Sequence, residues 1–238
     1  MKIRGISDTH GNLPYIKPCN VLCICGDILP LDIQENAAES FYWLSTAFFD
    51  WLNSLTVDCV LYVPGNHDFC MQDEHLRKLV ESHFADSSFK FAILVNESYT
   101  YEGIHFYGTP YINPITFQKG VWAFESAGSY DIPECDVLLS HDSPLENPSL
   151  GHAALSKYKY AHFYGHWHTD QHRGGSKQLN CAYVNDYYSV KSNFEPPTIE
   201  IEEPDEQDGL IRQDVLDAVE WDTSADIETP EINEKDDN

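Results

Sequence analysis

The stretch HFYGHWH, residues 162 to 168, sets three imidazoles within seven residues. Imidazole is the commonest side-chain ligand for metal ions, so this run either coordinates or packs. Strand alternation would put 162, 164, 166 and 168 on one side, and spacing alone does not decide. Position does: Gly165 marks the end of an apolar run, His166 and His168 lie beyond it, and His162 lies a strand length back and reads as structural. Other chemistry-bearing residues occupy the same kind of place. Asp8 and His10 (DTH), Asp27 (GD), Asn66, His67 and Asp68 (GNHD) and His141 (SHD) each close a short apolar segment. Such oxygen and nitrogen donors suit a divalent metal or a phosphate. Without thiolate they fit Mn, Fe, Zn, Co or Ni and do not select among them.

The elements that must carry these residues are visible as runs. KIRGISD (2–8), VLCICGD (21–27), CVLYVPGNHD (59–68), DVLLSHD (136–142) and AHFYGHWH (161–168) read as strands covered on both faces. In open α/β sheets, side chains just beyond the carboxyl ends of strands converge on one crevice. Residues 36–55 show apolar positions at helical spacing, with Phe41, Leu44, Phe48, Trp51 and Leu55 on one side, and 72–84 predicts a second helix. After residue 88, FKFAILV, SYTYE and IHFYGTP read as antiparallel strands, continued by LNCAYVND and TIEIEE. Helices covering a mixed sheet, a layered α/β fold, is the economical packing.

Composition bounds the rest. The chain has 238 residues and a formal charge of -25. Residues 200–238 hold 16 of the 39 acids but only 2 of the 14 bases, which makes the end of the chain a separate electrostatic object. The expected division is a domain at 1–203 and an acidic tail at 204–238. The tail reads either as solvated chain or as a short helix, DVLDAVEW, that docks on the domain or on a protein partner. No Lys/Arg cluster offers the basic patch of a nucleic-acid binder, so long nucleic acid is not expected. The seven cysteines form no CxxC pair and are odd in number. A reducing cytoplasm fits them best. MKIRGISDTH leads directly into a strand and no run approaches 18 apolar residues, so neither export nor a membrane span is expected.

The order DTH (8–10), GD (26–27), GNHD (65–68), SHD (140–142) and GHWH (165–168) resembles the calcineurin-like metallophosphoesterase superfamily. YGTPYINP (107–114), VWAFE (121–125), LNCAYVND and a Pro-Pro segment are similar to its small phosphodiesterase branch. The resemblance implies a four-layer α-β-β-α sandwich of two mixed sheets flanked by helices. It also implies two divalent metals, one held by Asp8, His10 and His168, the other by Asn66, His141 and His166, with Asp27 bridging them. Two neighbouring cations repel, so a shared carboxylate and a shared hydroxide supply negative charge between them, and the hydroxide attacks phosphorus. His67 would protonate the leaving oxygen or bind the phosphate, with Asp68 in support. Protein phosphatases of this superfamily continue GD as GDxxDRG; GDILPLD here puts Pro30 and Leu31 in those places, which disfavours that activity.

The expected function is therefore a metal-dependent phosphoesterase acting on a small phosphodiester. A metal-bound scaffold or interaction protein and a nuclease on short single strands are the alternatives. Asn12, after Gly11, reads as a turn residue with a weaker phosphate-contact role, and Arg173 as a phosphate or surface-acid partner. Trp122 and Phe124 read either as core or as a wall that stacks on a base. Oligomeric state is not legible.

Overall fold

The computed structural model describes residues 1–116, 120–126, 130–169 and 177–202. One compact unit runs from Met1 to Ile201, and Glu202–Asn238 form a second. Residues 203–238, and with them the predicted DVLDAVEW helix, lie outside the described residues.

The first unit is a mixed α/β structure with two five-stranded sheets. Strands β1 (Lys2–Ile6), β2 (Cys19–Ile24), β3 (Val57–Tyr62) and β4 (Lys90–Ile93) run parallel, and β10 (Thr198–Glu200) adds antiparallel beside β1. The second sheet has the order β5 (Glu97–Tyr101), β6 (Ile104–Thr109), β7 (Cys135–Ser140), β8 (Tyr158–Tyr164) and β9 (Gln178–Asn180). Only the β5–β6 hairpin in it is antiparallel. Its turn is set by Glu102 and Gly103, with φ of 47° and 76°. Two successive left-handed residues match the twist of a tight hairpin.

Alternation along the strands sorts the core. Val21, Cys23, Cys59 and Leu61 of the first sheet share one buried cluster with Phe106, Val137, Leu139, Ala161 and Phe163 of the second. Their neighbours Leu22, Ile24, Val60 and Tyr62 point to the other face and pack with Leu44, Phe48, Trp51, Leu52, Val80 and Phe84. On the far side of the second sheet, Tyr107 and Leu138 meet Leu150 and Ala154 of α4 (Pro148–Ala154).

Three sequence expectations need correction. LNCAYVND does not continue an antiparallel pattern, since β9 pairs in parallel with β8. FKFAILV is not an antiparallel strand beside SYTYE; β4 pairs in parallel with β3, and the chain passes to the second sheet through Asn96, at φ 56°. β4 is the edge strand of that sheet, and its end is buried on both faces, Ile93 in one core cluster and Ala92 and Leu94 in the other. The helix over 36–55 is not uniform: α1 (Ala37–Trp43) passes through a π-helical turn (Leu44–Phe48) into α2 (Phe49–Ser54). The wider turn shifts the helix face, so that Trp51 and Leu52 are both buried while Leu55 is only partly so. Asn36 caps α1 through Ala38 and Glu39, and Asp73 caps α3 (Glu74–Phe84) through His75 and Leu76. No helix among the described residues is long and apolar enough to cross a membrane.

Candidate metal centre

Parallel strands of both sheets end at the same edge, and their next residues form the site. β1 leads to Asp8 and His10, β2 to Asp27, β3 to Asn66 and His67, β7 to His141, and β8 to His166 and His168. Backbone bonds stitch these ends together: Asp8 N donates to Gly26 O, His10 N to Asp27 O, and Gly165 N to His141 O. A side chain on Gly165 would collide with Ser7 and Asp8, and one on Gly65 with Asp27 and His141. Only glycine lets these backbones approach the carboxylates so closely.

Two groups of donor atoms result, each within 4.8 Å of one another: Asp8, His10 and His168 in the first, Asp27, His141 and His166 in the second. His168 Nε2 lies 3.3 Å from Asp8 Oδ1, and its Nδ1 donates to Asn185 O at 3.1 Å. His141 Nδ1 donates to Cys25 O at 2.7 Å, which turns Nε2 toward Asn66 Oδ1 at 2.9 Å and Asp27 Oδ2 at 3.4 Å. A second partner of this kind fixes the orientation of a ligating ring. Asn66 thus joins the second group. Asp27 also accepts from His67 N through Oδ1 at 2.8 Å.

The electrostatics follow from burial and proximity. Burial raises the Asp8 carboxyl, but the hydrogen bond and charge of His168 bring it below the ordinary value. Asp27 is held well below the ordinary value, because His141 and His67 outweigh its burial. Burial opposes a charge on His141, yet Asp27 and then Asp8 raise its pKa to about 10. His10 goes the other way: burial lowers it to about 4 against the pull of both carboxylates. Its Nδ1 and Nε2 are both buried and have no hydrogen-bond partner among the described residues. A neutral ring with free nitrogens beside carboxylates has the chemistry that a divalent cation requires.

Part of each group, His168 of the first and Asp27 and His166 of the second, lines a cleft of about 250 Å³ together with Asn66, His67, Ile115, Trp167, Asp186 and Tyr188, while Asp8, His10 and His141 lie behind them. No lysine or arginine lines it among the described residues. Tyr188 stands over His10 with ring centroids 4.8 Å apart, carried on a turn in which Asn185 Oδ1 accepts from Tyr187 N and Ser189 N. Trp122 packs on His67 at 4.7 Å, while Phe124 is buried core. Ala123 N donates to Asn66 O, which explains why VWAFE brings one aromatic to the site and not the other.

Other sequence-derived candidates fall elsewhere. Asp68 does not line the cleft. It is fully buried and accepts from the N–H groups of Asp27, Ile28, Leu29 and Gly65 at 2.7 to 3.2 Å, tying the GD loop to the GNHD loop. Burial and then the Asp27 charge push its pKa up to about 6. Asn12 is not among the cleft residues either, and its Nδ2 donates to Thr9 O at 2.6 Å within its own turn. His162 is buried on β8 with Nε2 2.7 Å from Ser140 Oγ, apart from both groups. Arg173 lies outside the described residues. Gln34, Asn185, Asp186 and Tyr188 carry no sequence signal as single residues. Compared with known families and proteins, the chain matches no family model, and no curated protein is significantly similar to it.

Proposed function

We propose that the chain is a metal-dependent phosphoesterase of the calcineurin-like superfamily that hydrolyses a small phosphodiester. The observation that carries this reading is the meeting of two carboxylate-imidazole groups at the strand ends of two sheets, over one small cleft, with His67 at its wall. Asp8, His10 and His168 would hold one cation and Asn66, His141 and His166 a second, with the Asp27 carboxylate serving both. The sheets and helices form the four-layer sandwich of that superfamily, for which the shared core cluster between the sheets is the support. When bound, two such cations supply Lewis acidity toward phosphate oxygens and acidify water.

The protein's own residues do the remainder. Asp8 and Asp27, both ionised, set the negative charge that draws cations in, and the cleft has no basic side chain among those described to bind an anion without them. His67 donates a proton from Nε2 to the leaving oxygen. Trp122 and Tyr188 flank that ring. A cleft of about 250 Å³ suits a compact ester better than a polymer. The seven free cysteines suit a reducing, cytoplasmic setting.

The test is hydrolysis of bis-p-nitrophenyl phosphate and of 2′,3′-cyclic nucleotides by purified protein with Mn²⁺. Turnover that EDTA abolishes, that added metal restores, and that Asp27→Asn lowers by about 100-fold or more is expected. Metal-loaded protein that hydrolyses neither ester, nor any other phosphodiester tried, would reject the reading.

A further inference from the structure

The ring of His67 is oriented by a residue that no motif marks. Its Nδ1 lies 2.6 Å from Gln34 Oε1. An amide oxygen only accepts, so Nδ1 carries the proton and Nε2 is the nitrogen left to face the cleft, 3.9 Å from Asp27 Oδ2. Gln34 sits in the turn 31–35 between β2 and α1. That turn is fixed at both ends: Ile33 N donates to Pro30 O, Asn36 N donates to Ile33 O, and the buried Ser40 Oγ of α1 donates to Ile33 O at 3.0 Å. The His67 ring is thus held at its backbone by Asp27, at its face by Trp122 and at Nδ1 by Gln34.

We propose that Gln34 is the positioning residue of His67, a neutral amide that fixes the ring so that Nε2 addresses the leaving oxygen. The inference rests on the phosphoesterase reading. In the step it serves, a hydroxide oxygen forms a bond to phosphorus as the bond from phosphorus to the leaving oxygen breaks, and the leaving oxygen keeps that electron pair and takes the proton from Nε2. The ring is left neutral, with Nδ1–H still donating to Gln34 Oε1, and regains a proton from water. Because an amide oxygen accepts from Nδ1 in both protonation states, the orientation persists through the cycle.

The experiment compares wild type, Gln34→Ala, Gln34→Glu and His67→Ala with Mn²⁺ on two esters. Nucleoside 2′,3′-cyclic phosphates expel an alkoxide that needs a proton; bis-p-nitrophenyl phosphate expels a phenolate that does not. Gln34→Ala is expected to lower kcat about 10-fold or more on the cyclic phosphate and less than about 3-fold on the nitrophenyl ester, the pattern of His67→Ala in weaker form. Gln34→Glu, which keeps an acceptor, is expected to recover most of the loss. Equal losses on both esters, or none on the cyclic phosphate, would overturn the proposal. A second readout does not depend on turnover. ¹⁵N NMR of the full chain, with His67→Ala to assign the ring, should show the Nδ1–H tautomer in wild type and a shift toward Nε2–H in Gln34→Ala, without metal and with Zn²⁺. An unchanged tautomer would overturn the positioning role. If wild type hydrolyses no ester, the phosphoesterase reading fails, and the NMR still decides whether Gln34 orients the ring.

Discussion

Asp27 and Asp8 hold His141 protonated in the metal-free centre against its burial. Its Nδ1 proton is committed to Cys25 O, so its second proton sits on Nε2 between Asn66 and Asp27, where a cation would otherwise balance the carboxylates. With its pKa raised to about 10, the ring is protonated at neutral pH and must lose the Nε2 proton before that nitrogen can coordinate. Asp8 and Asp27 are already ionised there and release nothing. Metal affinity is therefore expected to rise as pH increases from roughly 7 to 9, about tenfold per pH unit for each proton displaced. Calorimetric titrations in buffers of different ionisation heat measure that proton count. An affinity independent of pH would exclude Nε2 of His141 as a ligand. At this scale the donors themselves were legible, because a Gly followed by Asp, Asn or His after an apolar run is a local pattern. Their partners were not: Gln34, Asn185 and Tyr188 reach the site through contacts set by tertiary folding, and their own neighbours in sequence give no hint of it.

Elements explain why the donors meet. Parallel strands present their carboxyl ends at one edge, and the apolar runs were readable because both faces of β1, β2, β3, β7 and β8 are covered. Pairing partners were less readable, since a run such as FKFAILV suits a parallel edge strand as well as an antiparallel one. The π-helical turn at Leu44–Phe48 left no trace in the apolar spacing that predicted a uniform helix. Between elements, Asp68 is the joint that holds the β2 and β3 loops in register, through four backbone N–H donors. Asp68→Ala would leave those donors buried and unpaired. An unsatisfied buried group costs on the order of 1–3 kcal/mol, so a loss of about 3 kcal/mol or more in urea unfolding is expected, with weaker metal binding. Asp68→Asn, which keeps one acceptor oxygen, should lose less. A change below about 1 kcal/mol for Asp68→Ala would show that the loops are held by other contacts.

The whole first unit closes its own core, with β10 completing one sheet and β9 the other. A chain ending at residue 202 is expected to keep its thermal midpoint within about 2 °C and its metal stoichiometry, as scanning calorimetry and metal analysis would show. A large drop would mean that residues 203–238 contribute to folding. The strength of that unit is not evenly used. Asp8, His10, Asp27 and His166 all have left-handed backbone, with φ of 52°, 43°, 54° and 67°. Such a conformation costs an ordinary residue roughly 1–2 kcal/mol and glycine almost nothing. His10 also buries two ring nitrogens that have no hydrogen-bond partner among the described residues. His10→Gly should raise the melting temperature of the metal-free protein, by about 2–4 °C for ~1 kcal/mol, while emptying the first group of a ligand. A directed-evolution screen that rewarded heat resistance alone would therefore discard this imidazole early, and the survivors would be hardier proteins lacking one donor of the proposed metal centre.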